Sequence, residues 1–271
     1  MTKQRSNYKI SRRTFLKVCA AAAAAGLTAC GKMQTAEALP ELTVGSDNYP
    51  PFIYLNNDST PTGIDVDIAT EAFARIRFEI IDWEQKTNLV ESGAIDCIWG
   101  CFSMDGREQL YRWAGPYMVS RQVVAVNANS GIETLADLAG KTMMVQSTTK
   151  PEEIFLGGTD PRIPQFGELL STEDRSVQYA MLNCGYVDAI AAHETAILQY
   201  MQDCNANFRI LEEPLLVTGI GVAFALNDTR GLDEKLTETL AAMRADGTLK
   251  QIVGKYLPDP EKYLEVDALE P

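Results

Sequence analysis

Apolar and polar positions alternate along this chain in two periods. Short apolar runs at 42–45, 77–82, 95–99, 121–127, 141–146, 187–191, 207–211 and 220–226 read as strands. Between them, apolar residues recur at helical spacing over 65–75, 87–92, 133–139, 172–183, 194–203 and 232–245. In the last of these, Leu232, Leu236, Leu240 and Met243 share one face. Glycines mark several ends, as Gly93 and Gly140 do. Strands alternating with helices in this way predict an α/β fold with crossover helices, in one sheet or in two smaller ones.

The first 29 residues stand apart. Ser11-Arg12-Arg13-Thr14-Phe15-Leu16-Lys17 leads into an apolar run from Val18 to Ala29 that includes six consecutive alanines. A charged head before about a dozen apolar residues reads as an export signal, too short to span a bilayer. The paired arginines fit the twin-arginine type, and Leu27-Thr28-Ala29-Cys30 resembles a lipobox, which predicts lipidation at Cys30. Small polar residues 31–41 suit a linker off the membrane.

Removing the leader deepens the net charge. The formal value of −13 loses the six positive charges of Lys3, Arg5, Lys9, Arg12, Arg13 and Lys17 and no acid, and becomes −19. Such a surface repels phosphate backbones and argues against nucleic-acid partners. His193 is the single histidine and no Cys-x-x-Cys pair occurs, so no metal and no cofactor is expected. Cys184 before a strand and Cys204 after a helix could meet and form a disulfide outside the cytoplasm. Cys97 and Cys101 should not pair, because four extended residues span about 13 Å.

Candidate chemistry sits at strand ends, where open α/β sheets place their ligand crevices. Asp47, Tyr49 and Phe52 lie on a proline-stiffened loop after the first strand, and Asp65 is read as the cap of the helix that follows. Gly100, Cys101, Ser103 and Arg107 follow the third strand; arginine suits bidentate grip on a carboxylate. Ser147 and Thr148 open a helix with Pro151 in its first turn, an anion-binding arrangement. A buried strand then ends in His193 and Glu194.

Taken in order with Ala114-Gly115-Pro116-Tyr117, Leu135-Ala136-Asp137-Leu138-Ala139-Gly140-Lys141 and Ala245-Asp246-Gly247-Thr248, these segments resemble the family 3 extracellular solute-binding proteins of polar amino acid ABC transporters. The resemblance runs from Leu42 to Leu257. It implies a type II periplasmic binding protein fold: two mixed sheets in two lobes, 42–127 with 222–271 and 128–221, joined by two hinge strands. It implies a ligand between closing lobes, an ABC permease as partner, a monomer, and a lipid-anchored extracytoplasmic protein that is not an enzyme. Tyr49 and Phe52 would form the aromatic wall. Gly100, Cys101 and Ser103 would bind the ligand's α-groups, and Arg107, with N–H groups at Ser147 and Thr148, its α-carboxylate. Asp47 would sit near the selectivity end. His193 stands where such proteins usually carry an aspartate for an α-amino group, with Glu194 as a substitute. A dehydratase-like enzyme or a ligand sensor on the same scaffold are the alternatives.

Overall fold

The computed structural model describes residues 41–269. The expected leader, Cys30 and the linker up to residue 40 lie outside the described residues. Strand β1 (Leu42–Ser46) is buried throughout, as befits a strand covered on both faces. A small hairpin follows, β2 (Tyr54–Leu55) with β3 (Pro61–Thr62). Helix α1 (Ile64–Ala72) then crosses to β4 (Ile76–Ile80), which pairs with β1 in parallel. Helix α2 (Lys86–Glu91) leads to β5 (Cys97–Ser103) on the other side of β1.

Two long strands join the halves of the molecule. β6 (Arg112–Asn127) runs 16 residues, and β11 (Leu216–Phe224) lies antiparallel to it from Leu216 opposite Gln122 to Phe224 opposite Arg112. The second half repeats the logic of the first. β7 (Thr142–Gln146) is flanked in parallel by β8 (Glu168–Thr172) and β9 (Ala189–His193). Helices α3 (Lys150–Gly157), α4 (Arg175–Asn183) and α5 (Glu194–Cys204) alternate with these strands, and β10 (Phe208–Ile210) pairs with β6. The order β4-β1-β5-β11-β6-β9-β7-β8 makes the hydrogen-bond ladder continuous through β6 and β11. Helices α6 (Leu232–Ala245) and α7 (Thr248–Val253) return to cover the first half.

Each half has its own apolar interior. In the first, Leu42, Phe52, Ile64, Ile68 and Trp99 meet Leu236, Leu240 and Leu249. In the second, β6 shows the period-two rule of a strand. Val123 and Ala125 face Ile190 and Leu182, while Val124 and Val126 face Val145 and Leu135. At roughly 1.5–3 kcal/mol for each fully buried aliphatic side chain, these clusters are what hold the β-ends, and hence the site, in place.

Local expectations needed four adjustments. Gly63, not Asp65, is the N-cap of α1, at φ 128°. Ile64 and Asp65 donate their N–H groups to Pro51 and Phe52 carbonyls, and a Cβ at position 63 would lie 2.1 Å from the Phe52 oxygen. The helix also ends at Ala72, so Phe73 packs in the core from an extended segment. Residues Leu135–Leu138 form a 3-10 turn closed by a Thr134–Asp137 capping box, too short before Gly140 for an α-helix. Cys184 and Cys204 are exposed free thiols. Burial first, and then both thiols, raise the Tyr200 hydroxyl, so the two are neighbours of that ring without being joined.

Candidate functional site

Four strand ends and two helix starts converge between the halves. β1 delivers Asp47 and, on the loop after it, Tyr49. Tyr49 lines the cleft, while Phe52 is buried behind it, ring centroids 5.7 Å apart. From the second half, the Arg175 guanidinium lies 3.2 Å over the Tyr49 ring and donates to Asp47 Oδ2 from Nη2 at 2.9 Å and from Nε at 3.2 Å. Gln146 Nε2 donates to the same oxygen at 2.9 Å. Burial opposes the charge on Arg175, but the adjacent Asp47 holds the guanidinium above its ordinary pKa.

The exit of β5 forms the next wall. Gly100 is required by contact: a Cβ there would lie 2.0 Å from Ser46 Oγ. Cys101 takes φ 52°, and its N–H donates to Asp65 Oδ2 at 3.0 Å, away from the cleft. Tyr117 donates to Asp65 Oδ1 at 2.8 Å. Burial raises this carboxyl to about 7, against the lowering effect of the Tyr117 and Cys101 donors. Arg107 donates to the Ser103 carbonyl at 3.3 Å and to Glu153 Oε2 at 3.1 Å. Burial lowers its pKa, with Glu153 acting the other way.

β7 and α3 supply the facing wall. The Ser147 N–H is used by the Thr172 carbonyl and the Thr148 N–H by Glu152 Oε2, so both expected anion donors are occupied within the protein. Lys150 Nζ sits 2.6 Å from Glu153 Oε1 and 3.6 Å from Asp105. Lys86 crosses from the first half to donate to the Thr148 carbonyl at 3.2 Å and to its hydroxyl at 2.8 Å. No carboxylate is paired with Lys86 among the described residues. Burial, and then Arg107, lower it to about 8.

His193 ends β9 and is buried. Ser120 Oγ lies 2.7 Å from its Nδ1 and Gln122 Nε2 lies 2.8 Å from its Nε2. An amide donating to Nε2 leaves the proton on Nδ1, which then donates to Ser120. Burial, then Arg175 and Arg107, push the imidazole down to about 3, so it is neutral at physiological pH. Glu194 points elsewhere. It pairs with Arg121 at 2.9 Å and lines a separate groove with Val119, Lys262 and Tyr263.

The cleft thus brings together Tyr49, Gly100, Cys101, Ser103, Arg107, Thr148 and His193 from the expected set. Asp47 stands behind Arg175; Phe52, Ser147 and Glu194 are not part of the lining. Sequence reading missed Trp83, Gln122, Lys150, Arg175 and Gln178, which do line it. The run of hydroxyls before Lys150 and the Asp174 cap before Arg175 mark helix starts at strand ends, the only available signal. Several buried polar atoms here have no partner: Tyr49 Oη, Trp83 Nε1, Gln122 Oε1, Gln146 Oε1 and both Gln178 amide atoms. Buried polar groups are normally satisfied, so these atoms call for water or a polar ligand in the cleft. The lining side chains leave about 20 Å³ open to the centre of a water molecule, room for about one water.

Comparison with known proteins agrees with this layout. The profile of the bacterial extracellular solute-binding proteins, family 3, matches residues 42–259. The glutamate-binding protein GluB of Corynebacterium glutamicum is 27% identical, covering 94% of this chain and 95% of its own length. The L-cystine-binding protein TcyJ of Escherichia coli is 26% identical over 91% of this chain and 96% of its own. An ancestral arginine-binding protein bound to glutamine superposes with a TM-score of 0.71 at 25% identity, covering 80% of this chain and 97% of that one.

Proposed function

This chain belongs to the bacterial extracellular solute-binding proteins of family 3, and we propose that it delivers an amino acid or related small carboxylate to an ABC permease. The observation that carries this is the meeting of Arg107, Lys150, Arg175 and His193, drawn from both halves, around unpartnered polar atoms in one cleft. The lobes are 42–127 with 222–271 and 128–221, and the bends that part them lie in β6 and β11. Ligand contacts from both lobes would bias a hinge equilibrium toward the closed form, which the permease reads.

In this reading Arg107 holds the ligand carboxylate, Tyr49 forms the aromatic floor, and the neutral His193, its two nitrogens engaged by Ser120 and Gln122, offers the ligand only ring carbon surface. The twin-arginine leader exports the folded chain and Cys30 tethers it as a lipoprotein. No described helix is long and apolar enough to cross a membrane. Changing Cys30 to alanine is expected to move the protein from the membrane fraction to the medium or periplasm; retention at the membrane would refute the anchor.

Thermal shift against amino acids and small carboxylates tests the binding role. A ligand at a hundredfold its Kd adds about 2.7 kcal/mol, roughly 5–10 °C in a domain of this size. The Arg107→Ala protein is expected to keep its own Tm within a few degrees and lose that shift. Conversion of a bound carboxylate to product would instead establish the dehydratase-like reading.

A further inference from the structure

Lys150 is a buried cation that crosses the cleft. It opens α3 in the second half, its side chain is 7% exposed, and it lines the cleft. Its ammonium reaches the loop after β5 in the first half. Asp105 Oδ2 lies 3.6 Å away, and a Cβ at Gly106 would come within 3.0 Å of Nζ. Arg107, the next residue of that loop, is 11% exposed at its side chain. One carboxylate joins the two cations: Glu153 sets Oε1 2.6 Å from Lys150 Nζ and Oε2 3.1 Å from Arg107 Nη2. Buried cations this close need anions at hand. The local charges balance, Arg107 and Lys150 against Glu153 and Asp105.

Exposure is divided unevenly within this group. The side chains of Glu153 and Asp105 are half in water, whereas the cations they pair with are buried. A Lys–Glu pair at i,i+3 is an ordinary surface feature of a helix when both partners are solvated. Here the lysine belongs to the cleft wall, and only the glutamate can turn away. Other seats for an anion are taken. The Ser147 N–H donates to the Thr172 carbonyl and the Thr148 N–H to Glu152 Oε2 at 2.6 Å. Arg175, the third lining cation, is held through two donors by Asp47, whose side chain is only 11% exposed. The seat between Arg107 and Lys150 is thus the one whose present occupant leaves most readily.

Resting on the binding role above, we propose that Lys150 is a second carboxylate-binding residue beside Arg107, and that Glu153 is a competitor within the chain that fills their seat until a ligand carboxylate takes it. Glu153 in the seat stabilises the ligand-free protein and not the bound one, so it lowers the apparent affinity. The exchange leaves the charge balance unchanged. It requires one carboxylate of the ligand and places no condition on an amino group. Because Arg107 and Lys150 belong to different halves, the seat is complete only where the halves meet.

Two titrations on the purified protein test this, with each variant shown to be folded by circular dichroism. Calorimetry follows L-glutamate, L-glutamine, L-arginine and L-cystine. Compounds that bind the parent are expected to bind Glu153→Gln about two- to fivefold more tightly, as displacement of a half-exposed pair allows. Adding Lys150→Gln to Glu153→Gln, where no competitor remains, is expected to weaken them at least fivefold. Acetate is the minimal probe, followed by NMR at the Arg107 Nε–H, and should saturate Glu153→Gln at a concentration at least twofold lower than the parent. Equal or weaker binding by Glu153→Gln would overturn the competitor, weaker binding making Glu153 one of the ligand's own contacts. Unchanged affinity on adding Lys150→Gln would remove Lys150 from the seat. If acetate titrates Arg107 as expected and no amino acid binds, the seat and its competitor stand while the amino acid reading falls. If neither acetate nor any amino acid binds, the proposal falls with it.

Discussion

Asp65 offers the most quantitative test of how the cleft wall is built. Its carboxyl is fully buried, accepts from the Cys101 N–H and the Tyr117 hydroxyl, and is raised from 3.8 to about 7 chiefly by that burial. Between those values the folded protein holds a proton that the unfolded chain releases. Stability from this group is therefore complete below about pH 4 and declines as pH rises toward 7. A displacement of about three pH units corresponds to roughly 4 kcal/mol. In Asp65→Asn the amide reproduces the protonated acid: its oxygen accepts from Cys101 and its NH2 donates to Tyr117. The measurement is urea unfolding of both proteins from about pH 4 to 8. The variant is expected to gain on the parent by roughly 4 kcal/mol across that range, reaching its full advantage near pH 8. His193 works in the opposite direction, since its lowered pKa makes stability fall as pH drops from 6.5 toward 3, but it is common to both proteins and cancels in the difference. A difference that stays flat with pH, or a variant weaker at pH 8, would refute the account of this wall.

Asp47→Asn should leave the buried Arg175 without its anion, at a cost of about 3–5 kcal/mol. Solution scattering should then show a larger radius of gyration, and an unchanged radius would mean the pair does not hold the halves together. Glu194→Gln removes only the pairing with Arg121 outside the cleft, so ligand affinity should stay within about twofold; a collapse in affinity would place Glu194 at the ligand after all. Gly100→Ala should destabilise by about 1–3 kcal/mol, because its Cβ meets Ser46 Oγ. Adding Ser46→Gly should restore much of that loss, and failure of the rescue would point to backbone strain instead of contact.

The fold was legible where burial was continuous. β1 and α6 were read almost to the residue because each presents an unbroken buried run or stripe. β8 went unread, since at the sheet edge its Glu168–Thr172 residues are only partly covered and carry no apolar run. α7 is six residues behind Gly247 and too short to show a period. At the site, aromatics and hydroxyls after strands were found from position alone. Lys86, Lys150 and Arg175 were not, because a basic residue near a helix start reads as surface until tertiary contacts bury it. Asp65 misled for the same reason: an acid at a helix start suggests a cap, and only the docking of α1 on Pro51 and Phe52 shows Gly63 in that place.

Three ion pairs cross the cleft, Asp47–Arg175, Glu153–Arg107 and the looser Asp105–Lys150 at 3.6 Å, and exposure separates the first two. Asp47 and Arg175 are 11% and 8% exposed at their side chains, and Asp47 Oδ2 also takes Gln146. The pair is buried between the halves, so parting them breaks it and exposes both charges to water. The Glu153 side of the second pair is 50% exposed. An ion pair so open to water holds by only about 0–1 kcal/mol, so a ligand carboxylate that reaches Arg107 and Lys150 displaces Glu153 at little cost. The exchange leaves the buried cations neutralised throughout, first by Glu153 and then by the ligand. On the proposed role, a ligand carboxylate that takes Glu153's place at Arg107 would leave selectivity to the other lining groups, Tyr49, Gln178 and Arg175 among them.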